Sequence, residues 1–484
     1  MNTKKLTILH SNDIHGDFTP TIVDGKETGG VSFLSGYIQK ARSEGNTLYT
    51  VAGDMFLGSV IDSEYKGLST IELFNLISPD VATIGNHEVD YGVAHLLFLE
   101  KCAKFPIINA NMYITTNNAR LFTPYINVEI DGLKILFIGI LTHEVLATTK
   151  QESIIGTFLD IKEAAKEISV ICDNYRTTST DLTVVLSHIG YELDIELAKI
   201  LDEYAGVDII IGGHSHTYIH EKTVVNDILI TQAGTGTDQI GRIDIEFDEN
   251  RNITSMDYAL VPINEDTAPR DEILDNLIAS YQSETDKKYK RIVTRLARKL
   301  THPSREQETE QGNLYADVLQ WESSFDIMMM GSGSIRKTEI GPVIEYQDLV
   351  TNTPYDDQLW MIEVTGAQFR RMIKHVLRPA AWTGDTEFYQ YSKGVRIVWS
   401  KSKGDFEEFK FNGEDITDDM RLRIGIQEFH YKNFDEFLGV PLAEVSQNRR
   451  PRVVASSINN IIEEYFSTNT NLDAKVEGRL VVLD

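Results

Sequence analysis

The sequence predicts a two-domain protein of the α/β to α+β class, its first half a mixed sheet architecture layered with helices. Three observations carry this. The chain has 484 residues, more than one hydrophobic core usually holds. Residues 1 to about 262 alternate apolar runs of strand length with stretches of helical spacing. From about residue 301 onward the strands shorten, aromatics become frequent and no cluster of potential ligands recurs.

Taken in order, five apolar runs each end in Asp, Asn or His. Leu6-Thr7-Ile8-Leu9 leads into Asp13 and His15, and Leu48 to Gly53 leads into Asp54. Ala82-Thr83-Ile84-Gly85 leads into Asn86 and His87, Leu182 to Leu186 into His188, and Val207 to Gly213 into His214 and His216. Packing alone does not explain these junctions, because polar groups at the ends of buried strands need partners. Strand carboxyl ends are where open α/β sheets gather their sites.

Between these runs, Gly30 to Arg42, Thr70 to Ile77, Val93 to Lys104 and Ile161 to Tyr175 have helical spacing. Further strands are expected at Phe105 to Ala110, Leu133 to Leu141, Ile228 to Gln232 and Ile240 to Phe247, the last two in antiparallel pairing. Asn111 to Thr123 and Asp238 to Ile240 read as loop. Asp266 to Leu300 carries Pro269 near its start and then a charged amphipathic pattern, read as a long connecting helix and the domain boundary. The expected division is residues 1–265, a linker helix over 266–300, and a second domain over 301–484. In that second domain Gly312 to Ser323 and Gly366 to Leu377 read as helices. Asp326 to Met330, Val395 to Ser400 and Arg421 to Gln427 read as strands, and Gly331 to Arg336 as a glycine-rich turn carrying an arginine.

The formal charge of -27 argues against a nucleic-acid or anionic-membrane surface, and an anionic substrate would need positive charge supplied by the site itself. The apolar run after Met1 is too short for a signal-peptide core and none reaches membrane-spanning length, so the expectation is a cytoplasmic protein. Cys102 and Cys172 give neither a disulfide framework nor metal-ligand spacing and read as core residues.

Two Asp, one Asn and four His at strand ends are too many for one divalent ion. Two ions sharing a bridging carboxylate fit the count, with Asp54 the best candidate bridge. Such a pair lowers the pKa of a bound water and clamps the oxygens of an in-line displacement at phosphorus. His87, beside Asn86 on the same turn, can donate to the leaving or a non-bridging oxygen, and Asp90 can orient that imidazole and keep it protonated. His95, His143, His220, His302, His375 and His430 lack this context and read as structural; His10 reads equally as packing or as support for the ligands.

Asp13-Ile14-His15, Gly53-Asp54, Gly85-Asn86-His87-Glu88, Ser187-His188 and Gly213-His214-Ser215-His216 resemble, in that order, the five blocks of the calcineurin-like metallophosphoesterases. Leu9 to Gly16, Gly85 to Gly92 and Asn109-Ala110-Asn111 are similar to the 5′-nucleotidase branch, of the intracellular bifunctional type. The resemblance implies a four-layer α/β/β/α metallophosphoesterase domain followed by a smaller α/β 5′-nucleotidase C-terminal domain. It implies two divalent ions drawn from Mn, Zn, Mg or Fe: Asp13, His15, Asp54 and His216 would hold one, and Asp54, Asn86, His188 and His214 the other. His216 stands where several members have Gln.

The resemblance further implies that Tyr355 and Phe429 stack on a base from opposite faces, that Asp435 binds ribose and that Arg336 contacts the nucleotide. Stacking tolerates any base, because each has a π-face. The match is patchier here: Gly331 replaces the family's Asn, Tyr431 to Glu436 replaces its Ala-Asn-Gly-Gly-Asp-Gly run, and Arg305 is the nearest residue to an arginine expected before the Gly312-Asn313 helix. The activity implied is removal of phosphate from a nucleotide or another small phosphate ester. The alternatives are a 2′,3′-cyclic-nucleotide phosphodiesterase, a nucleotide-sugar pyrophosphatase, a nucleotide-sensing protein with a residual metal site, and a regulatory partner protein.

Overall fold

A computed structural model describes residues 3–114, 117, 119–142, 157–158, 160–176, 180–201, 206–321, 325–382 and 387–484. His143 and the end of the helix expected to reach Ser323 lie outside them. The chain forms two compact units, Met1–Thr285 and Asp286–Asp484.

The first unit contains two six-stranded sheets. In one, Lys4–Ser11, Thr47–Ala52, Val81–Thr83 and Ile107–Ile108 are parallel neighbours, and Gln239–Phe247 with Ile253–Pro262 extend it antiparallel beside Lys4–Ser11. In the other, Leu133–Leu141, Leu182–His188, Ile209–Ile211 and Ile228–Thr231 run parallel, flanked by antiparallel Tyr125–Ile130 and Thr223–Val225. Alternation along each strand builds three apolar layers. Leu6, Ile8, Leu48 and Val81 face Leu133, Phe137, Val184 and Ile209 between the sheets. On the outer face of the first sheet, Leu9, Tyr49, Val51 and Ala82 pack against the helices Val31–Glu44, Leu68–Ile77 and Val93–Cys102. On the outer face of the second, Leu136, Ile138, Val185 and Ile210 pack against Ile161–Arg176 and Tyr191–Ile200. Helix, sheet, sheet and helix make four layers, and burial on both faces explains why the central strands read as unbroken apolar runs.

Several boundaries differ from the sequence expectation. Gln239 and Ile240, read as loop, open the strand Gln239–Phe247, because Gln239 pairs with Pro262. The strand expected over Phe105 to Ala110 contracts to Ile107–Ile108. The helix expected across Asp266 to Leu300 covers only Glu272–Tyr289; its apolar side, Leu274 and Ile278, packs into the first unit's core. It is followed by the strands Ile292–Arg295 and Leu300–Thr301. The β-branched run Ile292-Val293-Thr294 favours extended backbone, and Ile292–Arg295 pairs with Val343–Glu345.

The second unit is built on a five-stranded sheet in the order Tyr389–Tyr391, Ile327–Gly331, Arg421–Gln427, Leu359–Thr365 and Arg452–Ala455. The helix Gly366–Val376 covers one face, and Glu310–Gln320 with Ile458–Thr468 the other. Thr309 caps Glu310–Gln320, its hydroxyl accepting from Gly312 N at 3.0 Å. Among the described residues, no helix of either unit is long and apolar enough to cross a membrane.

Candidate metal centre

The five ligand-bearing strands belong to both sheets: Lys4–Ser11, Thr47–Ala52 and Val81–Thr83 to the first, Leu182–His188 and Ile209–Ile211 to the second. Their carboxyl ends meet at one edge of the sandwich. Potential ligand atoms of Asp13, His15 and His216 lie within 4.8 Å of one another, as do those of Asp54, His188 and His214, and those of His15, Asp54 and His87. His214 Nδ1 is 2.7 Å from Asn86 Oδ1, which brings the remaining expected ligand into the same group. Asp13, Asp54 and His188 are buried, while His216 stands at the mouth.

The spacings suit shared cations. His15 Nε2 is 3.2 Å from His216 Nε2 and 3.8 Å from Asp54 Oδ2, and His216 Nε2 is 3.3 Å from Asp13 Oδ1. His188 Nε2 is 3.1 Å from Asp54 Oδ2. With bonds of about 2.1 Å, two ligands of one ion stand about 3 to 3.5 Å apart. The far ring nitrogens are fixed as well. His188 Nδ1 donates to Ala52 O at 2.7 Å, and His15 Nδ1 faces Phe56 O at 3.2 Å and Leu57 O at 3.1 Å. A nitrogen facing carbonyls carries the proton, so each Nε2 offers its lone pair inward.

Backbone strain marks the same residues. Asp13, His15, Asp54, His214 and His216 all have positive φ, between 50° and 78°, a region few residues with side chains occupy. The electrostatics agree. Burial alone would raise the Asp54 carboxyl, but His188 beside it and the His87 amide outweigh burial and hold it below the ordinary carboxylate range. Burial likewise would lower His188, yet Asp54 and Asp13 bring it up to about 10. The hydrogen bond to Asp13 raises His216. Buried aspartates thus draw protons onto their imidazoles, a field that bound dications would replace. The donor set fits divalent metal.

His87 lies beside this cluster, 2.6 Å through Nδ1 from Asp90 Oδ2, and that hydrogen bond raises its pKa. Its backbone N–H donates to Asp54 Oδ1 at 2.9 Å. His10 is wholly buried and stacked on Tyr258 at 6.1 Å, with Cδ2 2.6 Å from where Gly241 would carry a Cβ; burial pushes it down to about 3. It is a packing residue.

In the second unit, the Arg336 guanidinium lies 5.8 Å above the Tyr355 ring. Asp357, two residues beyond Tyr355, accepts the backbone N–H of Phe429, so the two aromatic segments adjoin. Tyr355 and Phe429 are 49% and 51% exposed, so about half of each side chain is open to solvent. Asp435 is exposed but not free: its Oδ1 accepts Leu442 N at 2.7 Å. Gly331 has a steric reason, since a Cβ there would lie 2.9 Å from Cε1 of the buried His430 ring and nearer still to Nε2. Sequence reasoning did not place Arg305; the structure puts its Nη1 3.6 Å from the Cβ position of Gly333, whose N–H donates to Glu387 Oε1 at 3.0 Å. Neither Arg305 nor Glu387 has a periodic or motif signal, because loops far apart in sequence bring them together.

Residues 6–218 match the calcineurin-like phosphoesterase family, and residues 287–440 match the 5′-nucleotidase C-terminal domain. With the fold and the ligand cluster, this defines a metal-dependent phosphoester hydrolase. A 5′-nucleotidase-related protein of Glossina morsitans morsitans is 27% identical over 89% of this chain and 84% of its own. The human 5′-nucleotidase is 26% identical over 82% of this chain and 76% of its own. The 5′-nucleotidase precursor of Thermus thermophilus shares the fold with a TM-score of 0.65 at 22% identity, covering 99% of this chain and 100% of that one. A Staphylococcus aureus protein described as a putative 5′-nucleotidase does so at 0.67 and 18% identity, with 99% of each chain covered. The chain thus carries a calcineurin-like phosphoesterase domain followed by a 5′-nucleotidase C-terminal domain, and is similar to 5′-nucleotidases over most of its length.

Proposed function

We propose that the protein is a nucleotide phosphomonoesterase in nucleotide catabolism, with a dinuclear metal centre in the first unit and nucleoside recognition in the second. The observation that carries this is the sharing of Asp54 between the His15 group and the His188–His214 group, which gives one carboxylate two neighbouring cation positions. Asp13, His15, Asp54 and His216 would hold one divalent ion, and Asp54, Asn86, His188 and His214 a second, from Mn, Zn, Mg or Fe. When bound, such ions activate water and neutralise charge at phosphorus.

The chain's own residues supply the rest. Asp90 holds the proton on His87 Nδ1 and raises its basicity, leaving Nε2 to carry the proton offered to the departing oxygen. The carbonyls of Ala52, Phe56 and Leu57 fix the tautomers of His188 and His15. In the second unit, Tyr355 and Phe429 supply stacking faces and Arg336 a cation for an anionic ligand, which a chain of charge -27 must provide locally. Asp435 is proposed at the ribose through the oxygen that Leu442 leaves free. A cytoplasmic setting is proposed with it, in keeping with a sequence of 484 residues that carries two cysteines and no disulfide framework.

Two variants test the reading. Asp54→Ala is expected to abolish metal uptake and hydrolysis together, and full retained activity would rule out the bridge. Phe429→Ala is expected to raise KM for nucleoside monophosphates while leaving an aryl phosphate nearly untouched. A panel of nucleoside monophosphates, 2′,3′-cyclic nucleotides and nucleotide sugars, assayed with Mn²⁺, ranks the substrates; turnover only of cyclic or diphosphate substrates would overturn the monoesterase assignment.

A further inference from the structure

The loop from Ala52 to Leu57 follows the strand Thr47–Ala52 and carries Asp54, and its backbone is engaged on both sides. On the amide side two buried carboxylates take its N–H groups. Glu88, 1% exposed, accepts Asp54 N at 2.9 Å, Met55 N at 2.7 Å and Phe56 N at 3.3 Å, and also the N–H of Gly85. Asp62, wholly buried, accepts Leu57 N at 2.8 Å and is itself held by the hydroxyls of Thr70 and Tyr91. On the carbonyl side stands the segment that carries Asp13 and His15. Gly53 O accepts Asp13 N at 3.0 Å, Asp54 O accepts His15 N at 3.1 Å, and Met55 O accepts Gly16 N at 3.1 Å. Phe56 O takes His15 Nδ1 at 3.2 Å.

Four successive peptide units are therefore arranged alike. Each one, from Gly53–Asp54 to Phe56–Leu57, donates its N–H to a carboxylate and offers its C=O to the Asp13–Gly16 segment. A carboxylate on the N–H polarises the peptide and strengthens the carbonyl as an acceptor, and bonds in such a chain reinforce one another in a dry interior. Asp54 and Leu57 sit at positive φ, so the loop does not hold this shape by local preference.

We propose that Glu88 and Asp62 are positioning residues of the metal centre, acting through these four peptide units to set the backbone of Asp13 and the backbone and ring of His15. The hydrogen bonds of both carboxylates go to backbone amides and to the Thr70 and Tyr91 hydroxyls, and their charge also acts directly on Asp54, His188 and His15. This rests on the metal-centre reading above. It assigns the acid of Gly85-Asn86-His87-Glu88 to the loop of Asp54 rather than to its own turn alone. It also gives Asp62, which no motif marks, a role in metal binding.

The test is a calorimetric titration of the metal-free, full-length chain with Mn²⁺, well below each variant's Tm, on wild type, Glu88→Gln, Asp62→Asn and Phe247→Leu. A glutamine at 88 keeps the shape but turns an amide N–H toward amide donors. An asparagine at 62 can keep its bonds to Leu57 and Thr70 while losing only the charge. Phe247 pairs with Lys4 at the opposite end of its strand from the ligands and serves as the destabilised control. Both carboxylate variants are expected to weaken Mn²⁺ binding about 10- to 100-fold and to lower kcat with KM for the substrate within about twofold. Phe247→Leu should lower Tm with an unchanged Kd. Folded Glu88→Gln and Asp62→Asn proteins with wild-type Kd would overturn the inference, and if Glu88→Gln fails to fold, Asp62→Asn decides it. Wild type that takes up no metal would sink the metal-centre reading and this inference together; normal uptake with unaffected variants sinks this inference alone.

Discussion

Gly85 offers the sharpest steric test of the site. Its φ is outside the left-handed region, so alanine is compatible with its backbone, but a methyl there would lie 2.5 Å from Asp54 N and 2.8 Å from Asp54 Cγ, and closer still to Oδ1. Ordinary contact begins at 3.4 Å, so Asp54 must retreat by at least 3.4 − 2.5 = 0.9 Å. A displacement of about 1 Å at a reacting centre costs roughly 100-fold in rate, and here it falls on the carboxylate assigned to bridge both ions. Gly85→Ala is therefore expected to lose about two orders of magnitude in kcat and to take up less metal at equal Mn²⁺. The matching control is Gly45→Ala, where the backbone is extended at φ 177° and a Cβ meets nothing within 4 Å. The assay is kcat with a saturating nucleotide beside metal analysis of the dialysed protein. A Gly85→Ala enzyme within threefold of wild type, with full metal content, would refute the placement of Asp54.

Asp90→Asn should lower kcat about 10- to 100-fold. Because the bond to Asp90 raises His87, protonated His87 persists to higher pH in the wild type, so the alkaline limb of kcat should move to lower pH in the variant; an unmoved limb would dissociate His87 from proton donation. His430, with His302, makes the second unit less stable in acid, because burial lowers both imidazoles. Burial pushes His430 down to about 3, so the stability it confers is fully present above its unfolded value near 6.5 and is lost as pH falls toward 3. By pH 5 the loss is about 2 kcal/mol, the 1.5 units below 6.5 at about 1.4 kcal/mol each. Calorimetry of the second unit's transition between pH 7 and 5 should show this slope in wild type and its reduction in His430→Gln, whose amide can still accept the Tyr389 hydroxyl.

The candidate site of the first unit was legible because each expected ligand follows an apolar run, and a polar group spent at the end of a buried strand has few explanations. What the sequence could not display was geometry acting through the backbone. Nothing in Ala-Gly-Asp-Met-Phe-Leu announces that four amides are taken by Glu88 and Asp62, or that five of the expected ligands adopt positive φ. The helix read through Leu300 ended at Tyr289 because charged amphipathic spacing does not register where a β-branched run finds a strand partner in Val343–Glu345. In the second unit, the proposed recognition residues Arg336 and Tyr355 sit on loops without periodicity, and Phe429 and Asp435 on the short helices Glu428–Lys432 and Phe434–Leu438. Arg305 emerged beside Gly333 only once tertiary contacts were in place, and Gly331 made sense only with the His430 ring packed against it.

The central claim is that one carboxylate, Asp54, joins two cations. Crystals grown with Mn²⁺ and measured at the manganese edge test it directly. Two anomalous peaks per chain are expected, one among Asp13, His15 and His216 and one among Asn86, His188 and His214, with Asp54 between them. A single peak, or two peaks that leave Asp54 uncoordinated, would contradict it.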